Sequence, residues 1–482
     1  MQKSRRFIFV SIFFLVFILA GSAIVLYALG YRLNQEDPVP VAPTGGLSVR
    51  VSQEVRVFLD GTSFGVSPLY RSGVDTGTHT VKFQKRGFQD WRKELQFDEY
   101  VVTEIEDTLL FPNTLSTSTL FDQDPKDIEN VYASPRQTSF LFTQRSSEDE
   151  EDKRTLIMYN PREERKLSLT SKGIPAAPIT NVTWGQTSNQ FLVTINPPDQ
   201  DKQTFLVTDV SQETPTIKNI TSLFPYKRSE APLSYLTLTN NIVTLQQGGH
   251  MFEINVLQDS TSDPIVSDVQ LLEATSSRIV YVDQAKNQLF AFSRGDPQDR
   301  TQLASNLPAN LNEIFISPND DVYLRANTTE IYTMQKKASN EKATLTKLDL
   351  PAKDLKFSGA GKKVIFATDK QIAVRYAREI DNYADREKGE TSILYTAQDS
   401  TKLTDVQWLP VAEAHILFKE NGAYSVVELD NRGKNGASTF SLLEADDIVP
   451  RVDGRKLKIF ALKNATLEQG SFSIQRDGLF QL

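Results

Sequence analysis

A repeat is the feature that most constrains how this chain can fold. From about residue 114 onward, a six-residue pattern recurs: aliphatic, any, Asn/Asp/Glu, Val/Ile, any, apolar. It stands at Ile128–Ala133, Ile179–Trp184, Val266–Leu271, Leu311–Ile316 and Leu403–Trp408, with starts 51, 87, 45 and 92 residues apart. Looser copies at Pro232–Leu238, Ala352–Phe357 and Asp447–Val452 fill the longer gaps and follow the last start. Ser134-Pro135, Ser317-Pro318 and Leu409-Pro410 fall at one offset behind the pattern. A turn and an apolar strand follow each start, as at Phe140-Leu141-Phe142 or Ile416-Leu417-Phe418. A third strand often comes next, as at Leu289–Phe292. A period of about 45 residues with three or four strands per unit is that of a β-propeller blade. One blade cannot cover both of its faces, so several must close into a ring. Eight units fit between Ile128 and Leu482, with seven as the alternative, and Leu115–Phe121 is placed to supply the outer strand of the last one.

Ahead of the repeat lie an anchor, a linker and a small domain. Lys3, Arg5 and Arg6 precede Phe7–Leu29, an uncharged run of Phe, Ile, Leu, Val and small residues. As a helix that run spans about 35 Å, enough for a hydrocarbon core of about 30 Å. Its basic flank predicts a cytoplasmic N-terminus, with the bulk of the chain extracytoplasmic. The run is longer than the apolar region of a cleaved signal peptide, about 7–15 residues. Asp37-Pro38-Val39-Pro40-Val41-Ala42-Pro43-Thr44-Gly45-Gly46 reads as a stiff spacer ending in a flexible joint. The expected organisation is a basic flank and transmembrane anchor over 1–33, a Pro-rich linker over 34–45, a β-sandwich over 46–112 and the propeller over 113–482. The fold class is all-β after one transmembrane helix.

Within 46–112 the strands announce themselves by alternation. Leu47, Val49 and Val51 alternate with Ser48 and Arg50, Val55, Val57 and Leu59 alternate with Arg56 and Phe58, and Asp60-Gly61 marks a turn. Gly46-Leu47-Ser48-Val49, Val57-Phe58-Leu59-Asp60-Gly61, Gly65-Val66-Ser67-Pro68-Leu69, Gly77-Thr78-His79-Thr80-Val81 and Lys85-Arg86-Gly87-Phe88 follow in order. This set resembles the PEGA domain, a small β-sandwich of bacterial and archaeal surface proteins. Ser52-Gln53-Glu54-Val55 stands where that family has its naming tetrapeptide. The resemblance implies a spacer or binding module and brings no catalytic residues. The Ser-Pro-then-strand pattern of the repeats resembles TolB-like and WD40-like propellers.

Charge and motifs narrow the function. Net charge is −8, and the first 32 residues hold four positive charges and no negative ones, leaving −12 for the rest. That balance argues against a nucleic-acid partner. Without cysteine there is no thiol catalysis, disulfide or Cys-type zinc site. The sequence points to no catalytic, cofactor-binding or metal-ligating residue. Gly61-Thr62-Ser63-Phe64-Gly65 has the spacing of a hydrolase nucleophile elbow but no helix to follow it. His79, His250 and His415 sit apart in sequence and form no metal-binding spacing. Gly359-Ala360-Gly361-Lys362-Lys363 lacks the first glycine and the Ser/Thr of a phosphate loop. The acidic groups Glu148–Asp152 and Asp122, Asp124 and Asp127 do not match a calcium loop. Trp184 and Trp408 occupy equivalent repeat positions and are expected in blade cores. The expected function is therefore a membrane-anchored binding or scaffold protein of the cell envelope. It would use no cofactor, and its partner would be a protein or a cell-wall glycan. The alternative is a propeller glycosidase built on two loop carboxylates.

Overall fold

The computed structural model describes residues 2–28, 31–33, 41–121, 127–135, 137–145, 154–197, 200–227, 230–335, 344–380, 386–398 and 400–475. One α-helix, Gln2–Ala28, is followed by an all-β chain. Among the residues whose side chains are described, no helix is long and apolar enough to cross a membrane. In Gln2–Ala28 those side chains are residues 10–25, which are apolar or small and, Gly21 apart, exposed. Tyr31–Leu33 then pairs antiparallel with Val41–Pro43. A two-stranded ribbon thus takes up part of the expected spacer, whose residues 34–40 lie outside those described.

Two sheets build the small domain. Leu69–Val74, Gly45–Arg50 and Val102–Glu106 form one, and Thr62–Val66, Arg56–Leu59, Gly77–Gln84 and Trp91–Phe97 form the other. Trp91–Phe97 alternates strictly between buried and more open positions, with Trp91, Lys93, Leu95 and Phe97 inward. That is the period of two expected of a sheet with one covered face. The Gly-Thr-Ser-Phe-Gly stretch lies in the hairpin joining Arg56–Leu59 to Thr62–Val66. With a strand rather than a helix after the turn, it cannot be a nucleophile elbow.

The described residues from Thr117 to Ser473 form eight four-stranded antiparallel sheets. Seven are consecutive meanders, beginning at Ile128, Ile179, Leu233, Val269, Leu311, Asp354 and Leu403. The eighth joins Asp447–Asp453, Lys456–Lys463 and Thr466–Ser473 to Thr117–Thr119, which comes from ahead of the first sheet. Thr117–Thr119 is its outermost strand, the place anticipated for Leu115–Phe121. First strands of neighbouring sheets touch one another, as Val269–Ala274 does Leu311–Ile316, so they form the inner wall. Each sheet shares an apolar cluster with the next. Phe191 and Val193 of the second pack with Leu141 and Met158 of the first, and so on around. Phe140 and Phe142 of the first sheet pack with Phe460 and Leu462 of the last. This sheet order is a β-propeller.

The recurrent pattern has two local causes. In five first strands the register shifts across the second residue, as between Ile128 and Asn130 or Leu311 and Glu313. Such a bulge bends the strand and re-aims the side chains after it. The serine behind the strand ties the next turn. Ser134 Oγ accepts from the N–H groups of Thr138 and Ser139 at 3.0 and 3.1 Å, and Ser317 Oγ from Asn319 and Asp321 at 3.2 and 3.0 Å. One expected start is displaced. The fourth inner strand begins at Val269, not Val266, which makes an isolated bridge to Met251 instead. Val266 also carries a Val-x-Asp-Val pattern, but the bulge lies between Val269 and Leu271.

The core of the small domain is continuous with that of the propeller. Its Leu47, Val57, Phe83, Trp91 and Phe111 share one cluster with Leu417, Tyr424, Phe440, Ile459 and Phe472 of the last two sheets. At the contact Lys93, 1% exposed, lies 2.7 Å from Glu428 and 3.4 Å from Asp430. It also donates to the Asp430 carbonyl. Trp91 Nε1 donates to Glu428 at 2.8 Å, and Arg432 donates to the Glu104 carbonyl at 2.9 Å. Burial pushes the Asp430 carboxyl up, but hydrogen bonds from Arg432 and the charge of Lys93 outweigh it and hold the carboxyl below its ordinary range. Gln53, also buried, bonds Leu110 in both directions and the Ser473 carbonyl at 2.9 Å.

Removing one partner from a buried ion pair strands the other, at a cost of about 3–5 kcal/mol. Lys93→Met is therefore expected to destabilise the chain by about that much in urea unfolding, while Lys93→Met with Glu428→Gln recovers part of the loss. A Lys93→Met protein as stable as the parent would contradict this role.

Candidate functional site

The inner strands and the turns behind them build the most distinctive feature, a cavity of about 640 Å³ at one end of the propeller axis. Its wall takes Gln186 from behind the second sheet's inner strand, Ser276 from the fourth, Ser317 from the fifth, Phe357 from the sixth and Trp408 from the seventh. Five sheets converge there because the bulged inner strands end there, and the serine-tied turns fix how their ends open. Trp408 packs half-buried on the core between the sixth and seventh sheets while also lining the cavity. Its Nε1 donates to the Lys356 carbonyl at 3.0 Å, so the indole is held across that joint. Trp184 packs on the cluster between the first two sheets and does not line the cavity. The equivalence of the two tryptophans therefore holds for packing and fails at the mouth.

Among the described residues, Asp320 is the only carboxylate lining this cavity. The other acids of the inner strands lie elsewhere and are engaged. Glu313 pairs with Arg325 at 2.6 Å, Asp354 with Lys356 at 3.1 Å, and Asp405 accepts from the Tyr424 hydroxyl at 2.9 Å. Glu273 faces the Tyr235 hydroxyl, which also accepts the Ala274 N–H at 2.9 Å. Burial pushes the Glu273 carboxyl up to about 7, with neighbouring Glu313 adding to the effect and Tyr235 opposing it. Asp447 is pushed up to about 6 by burial and by Asp405.

The histidines stay apart. His79 bonds Asp60 at 2.6 Å in the small domain. His250 opens a strand just behind the Gly248-Gly249 turn. His415 is buried in the seventh sheet beside Phe111, and burial, with Lys363 and Lys93 nearby, pushes its imidazole down to about 3. Among the described residues no group of three or more His, Asp or Glu side chains could hold a metal. Gly359–Lys363 is the turn between two strands of the sixth sheet, closed by Ser358 N–H to the Lys363 carbonyl at 2.9 Å. The acidic run at 148–152 and residues 122–126 lie outside those described.

The small domain docks on the same end of the propeller as the cavity. Glu428, Asp430 and Arg432 lie where the seventh sheet's third strand runs out toward its fourth, and Leu409 and Val411 lie in its first turn. Both kinds of connection share the end that carries the mouth.

Glu273 supplies a pH test of this inner wall. Its carboxyl titrates near 7 when folded but near its ordinary 4.5 when unfolded. Between those values the unfolded chain releases the proton first, so stability falls as pH rises from about 4.5 to 7 and stays lowered above. Glu273→Gln is expected to raise the unfolding temperature at pH 8 and leave it unchanged at pH 4. Equal shifts at both values would contradict the assignment.

Comparison with known proteins bears on the small domain first. The PEGA domain family matches residues 44–110. No curated protein matches the chain. Among solved structures the chain is similar to Hsv2 of Kluyveromyces lactis, at 11% identity and a TM-score of 0.41 over 66% of this chain and 98% of that one. It is also similar to the C-terminal WD40 domain of Sif2, at 9% identity and a TM-score of 0.46 over 75% and 99%. PorZ, a surface component of the type-IX secretion system of Porphyromonas gingivalis, matches at 11% identity and a TM-score of 0.40 over 72% and 42%. At such scores the propeller rests on the sheet order and not on these likenesses. The chain is thus one in which residues 44–110 form a PEGA domain and the sheets after it form a β-propeller.

Proposed function

We propose that this chain is a membrane-anchored binding protein of the cell envelope. The PEGA domain fixes a closed, eight-bladed propeller whose axial mouth is an interaction platform. Trp408 carries the reading. Its half-buried indole, held by the Lys356 carbonyl and accompanied by Phe357, offers apolar contact area amid Gln, Thr and Ser groups, with Asp320 and Lys356 the charged residues of the wall. Aromatic side chains of this kind combine a large contact area with a polar handle and are enriched at binding surfaces. Among the described residues the wall holds one carboxylate and not the pair that glycoside hydrolysis uses, which supports binding over the glycosidase alternative. The partner is a protein or a cell-wall glycan.

The anchor is the run Phe7–Leu29. Its exposed side chains between Val10 and Val25, among them Phe13, Phe14 and Phe17, carry no charge, and Ser11 and Ser22 are the polar ones among them. A helix apolar all round suits an apolar surrounding. With Lys3, Arg5 and Arg6 ahead of it, the propeller lies outside the cytoplasm.

Two arms test the platform. A photo-crosslinking residue at position 357 in the full chain, irradiated in intact cells, reports a polypeptide at the mouth. Calorimetric titration with soluble peptidoglycan fragments reports a glycan. In the arm that responds, Trp408→Ala is expected to weaken capture at least tenfold while the chain stays folded, with a lowered unfolding temperature because the indole also packs between the sixth and seventh sheets. Silence in both arms, or a response indifferent to Trp408→Ala, contradicts the proposal.

A further inference from the structure

A second and larger cavity, of about 930 Å³, opens on the same end of the propeller, between the fourth, fifth and sixth sheets. It adjoins the mouth through Asp320, which lines both. Its size lies in the range of small-molecule sites, about 300–1,000 Å³. Its wall is unusual for this chain. Outside the anchor the sequence carries an excess of negative charge, yet among the described residues of this wall Arg278, Arg375, Arg378 and Lys388 converge against Asp320 and Asp321.

The cations divide into two kinds. Arg378 pairs with Asp321 at 2.8 Å, and Arg278 donates to the Asp320 carbonyl at 3.3 Å, so both tie one sheet to the next. Such ties are structural. Arg375 and Lys388 are different, since neither meets a carboxylate within ion-pair distance among the described residues. Arg375 is instead laid across the loop by a 2.7 Å bond from Nη1 to the Gly389 carbonyl. Gly389 has φ 91°, and a Cβ there would stand 3.2 Å from Arg375 Nη2, so glycine is what admits the guanidinium. Like charges converging in a concave wall focus a positive potential on the space between them. A guanidinium still holding free donors is the side chain best shaped for a tetrahedral or planar oxyanion.

We propose that this cavity binds a phosphate-bearing ligand, with Arg375 and Lys388 as its primary contacts and Arg278 and Arg378 adding to the field. The phosphate belongs either to a soluble phosphorylated sugar or polyol or to a lipid headgroup, since the fold sets the cavity on the end of the propeller where the PEGA domain docks. The inference does not depend on Trp408 or on any activity at the mouth.

The test uses the full chain in phosphatidylcholine nanodiscs. Calorimetry with glycerol phosphate oligomers, and with inorganic phosphate as the minimal probe, covers the soluble source. Hydrogen exchange at the amides of 386–390, compared between nanodiscs with and without phosphatidylglycerol, covers the headgroup. The expected result is saturable binding or exchange protection in one arm, reduced at least tenfold by Arg375→Gln with Lys388→Gln and weakened by added salt. Lys388→Gln alone, at an exposed position, gives a smaller loss in the same direction and guards against a folding defect. Lys172→Gln, on the first sheet's 3-10 turn, leaves binding unchanged. No response in either arm, or a response that survives the double substitution, overturns the proposal.

Discussion

The second strand of each sheet is apolar on both faces, and the rest of the structure follows from that. Gln190–Ile195 is buried at every position, and Phe140–Thr143 and Ile279–Asp283 are buried throughout. A four-stranded sheet of this kind has no solvent side, so it must have a neighbour on each face. Repeating the requirement from sheet to sheet leaves two uncovered faces at the ends of the row. Phe140 resolves this by meeting Phe460, with ring centroids 4.7 Å apart. The outer edge of the last sheet is then completed by Thr117–Thr119, which antedates the first sheet in the chain. Covering the last two faces with each other turns a row of sheets into a platform with an axis, and the mouth exists only because the inner strands converge on that axis.

The PEGA domain obeys the same requirement differently. The small domain buries Trp91 and Phe111 partly against the propeller, and it places one cation, Lys93, where it is enclosed by Glu428 and Asp430. A buried pair contributes little net stability but punishes misalignment heavily. Apolar contacts hold the domain on; Lys93 fixes where it sits. The result is a fixed angle between whatever holds the N-terminal side of the PEGA domain and the propeller end that bears both cavities. The propeller end that bears both cavities is therefore held at a set orientation to the PEGA domain.

Much of this was legible in the residues. The inner strands at Ile128, Ile179, Leu311 and Leu403 begin where the pattern begins; at Ile128, Ile179 and Leu311 the pattern records a bulge, and behind Ile128 and Leu311 a serine-tied turn as well. Thr117–Thr119 was visible as a surplus strand. Val266 misled because local spacing cannot distinguish a true inner strand from a bridge to Met251 just ahead of it. The shared core was not legible at all. Trp91 and Glu428 are 337 residues apart, and nothing near Trp91 announces a partner so distant. Both cavities were equally hidden, since each is assembled from turns of three or more sheets. Lys388-Gly389 was the one local hint, a glycine beside a cation on a loop, and Trp408 showed as a repeat residue without showing that it faces the mouth.

The seam between Thr117–Thr119 and the last sheet offers the most direct test of the account, and the absence of cysteine makes the test clean. Ser118 stands opposite Gln469 in the register, so a Ser118→Cys/Gln469→Cys chain carries its only two thiols across the joint. Disulfides form where Cα atoms lie about 4.4–6.8 Å apart. A closed propeller predicts complete intramolecular cross-linking on mild oxidation, with a higher unfolding temperature than the reduced form, since the bond closes a long loop. Free thiols after oxidation, or cross-links only between separate molecules, would show that the last sheet does not meet the strand that precedes the first, and the closed platform would fall with it.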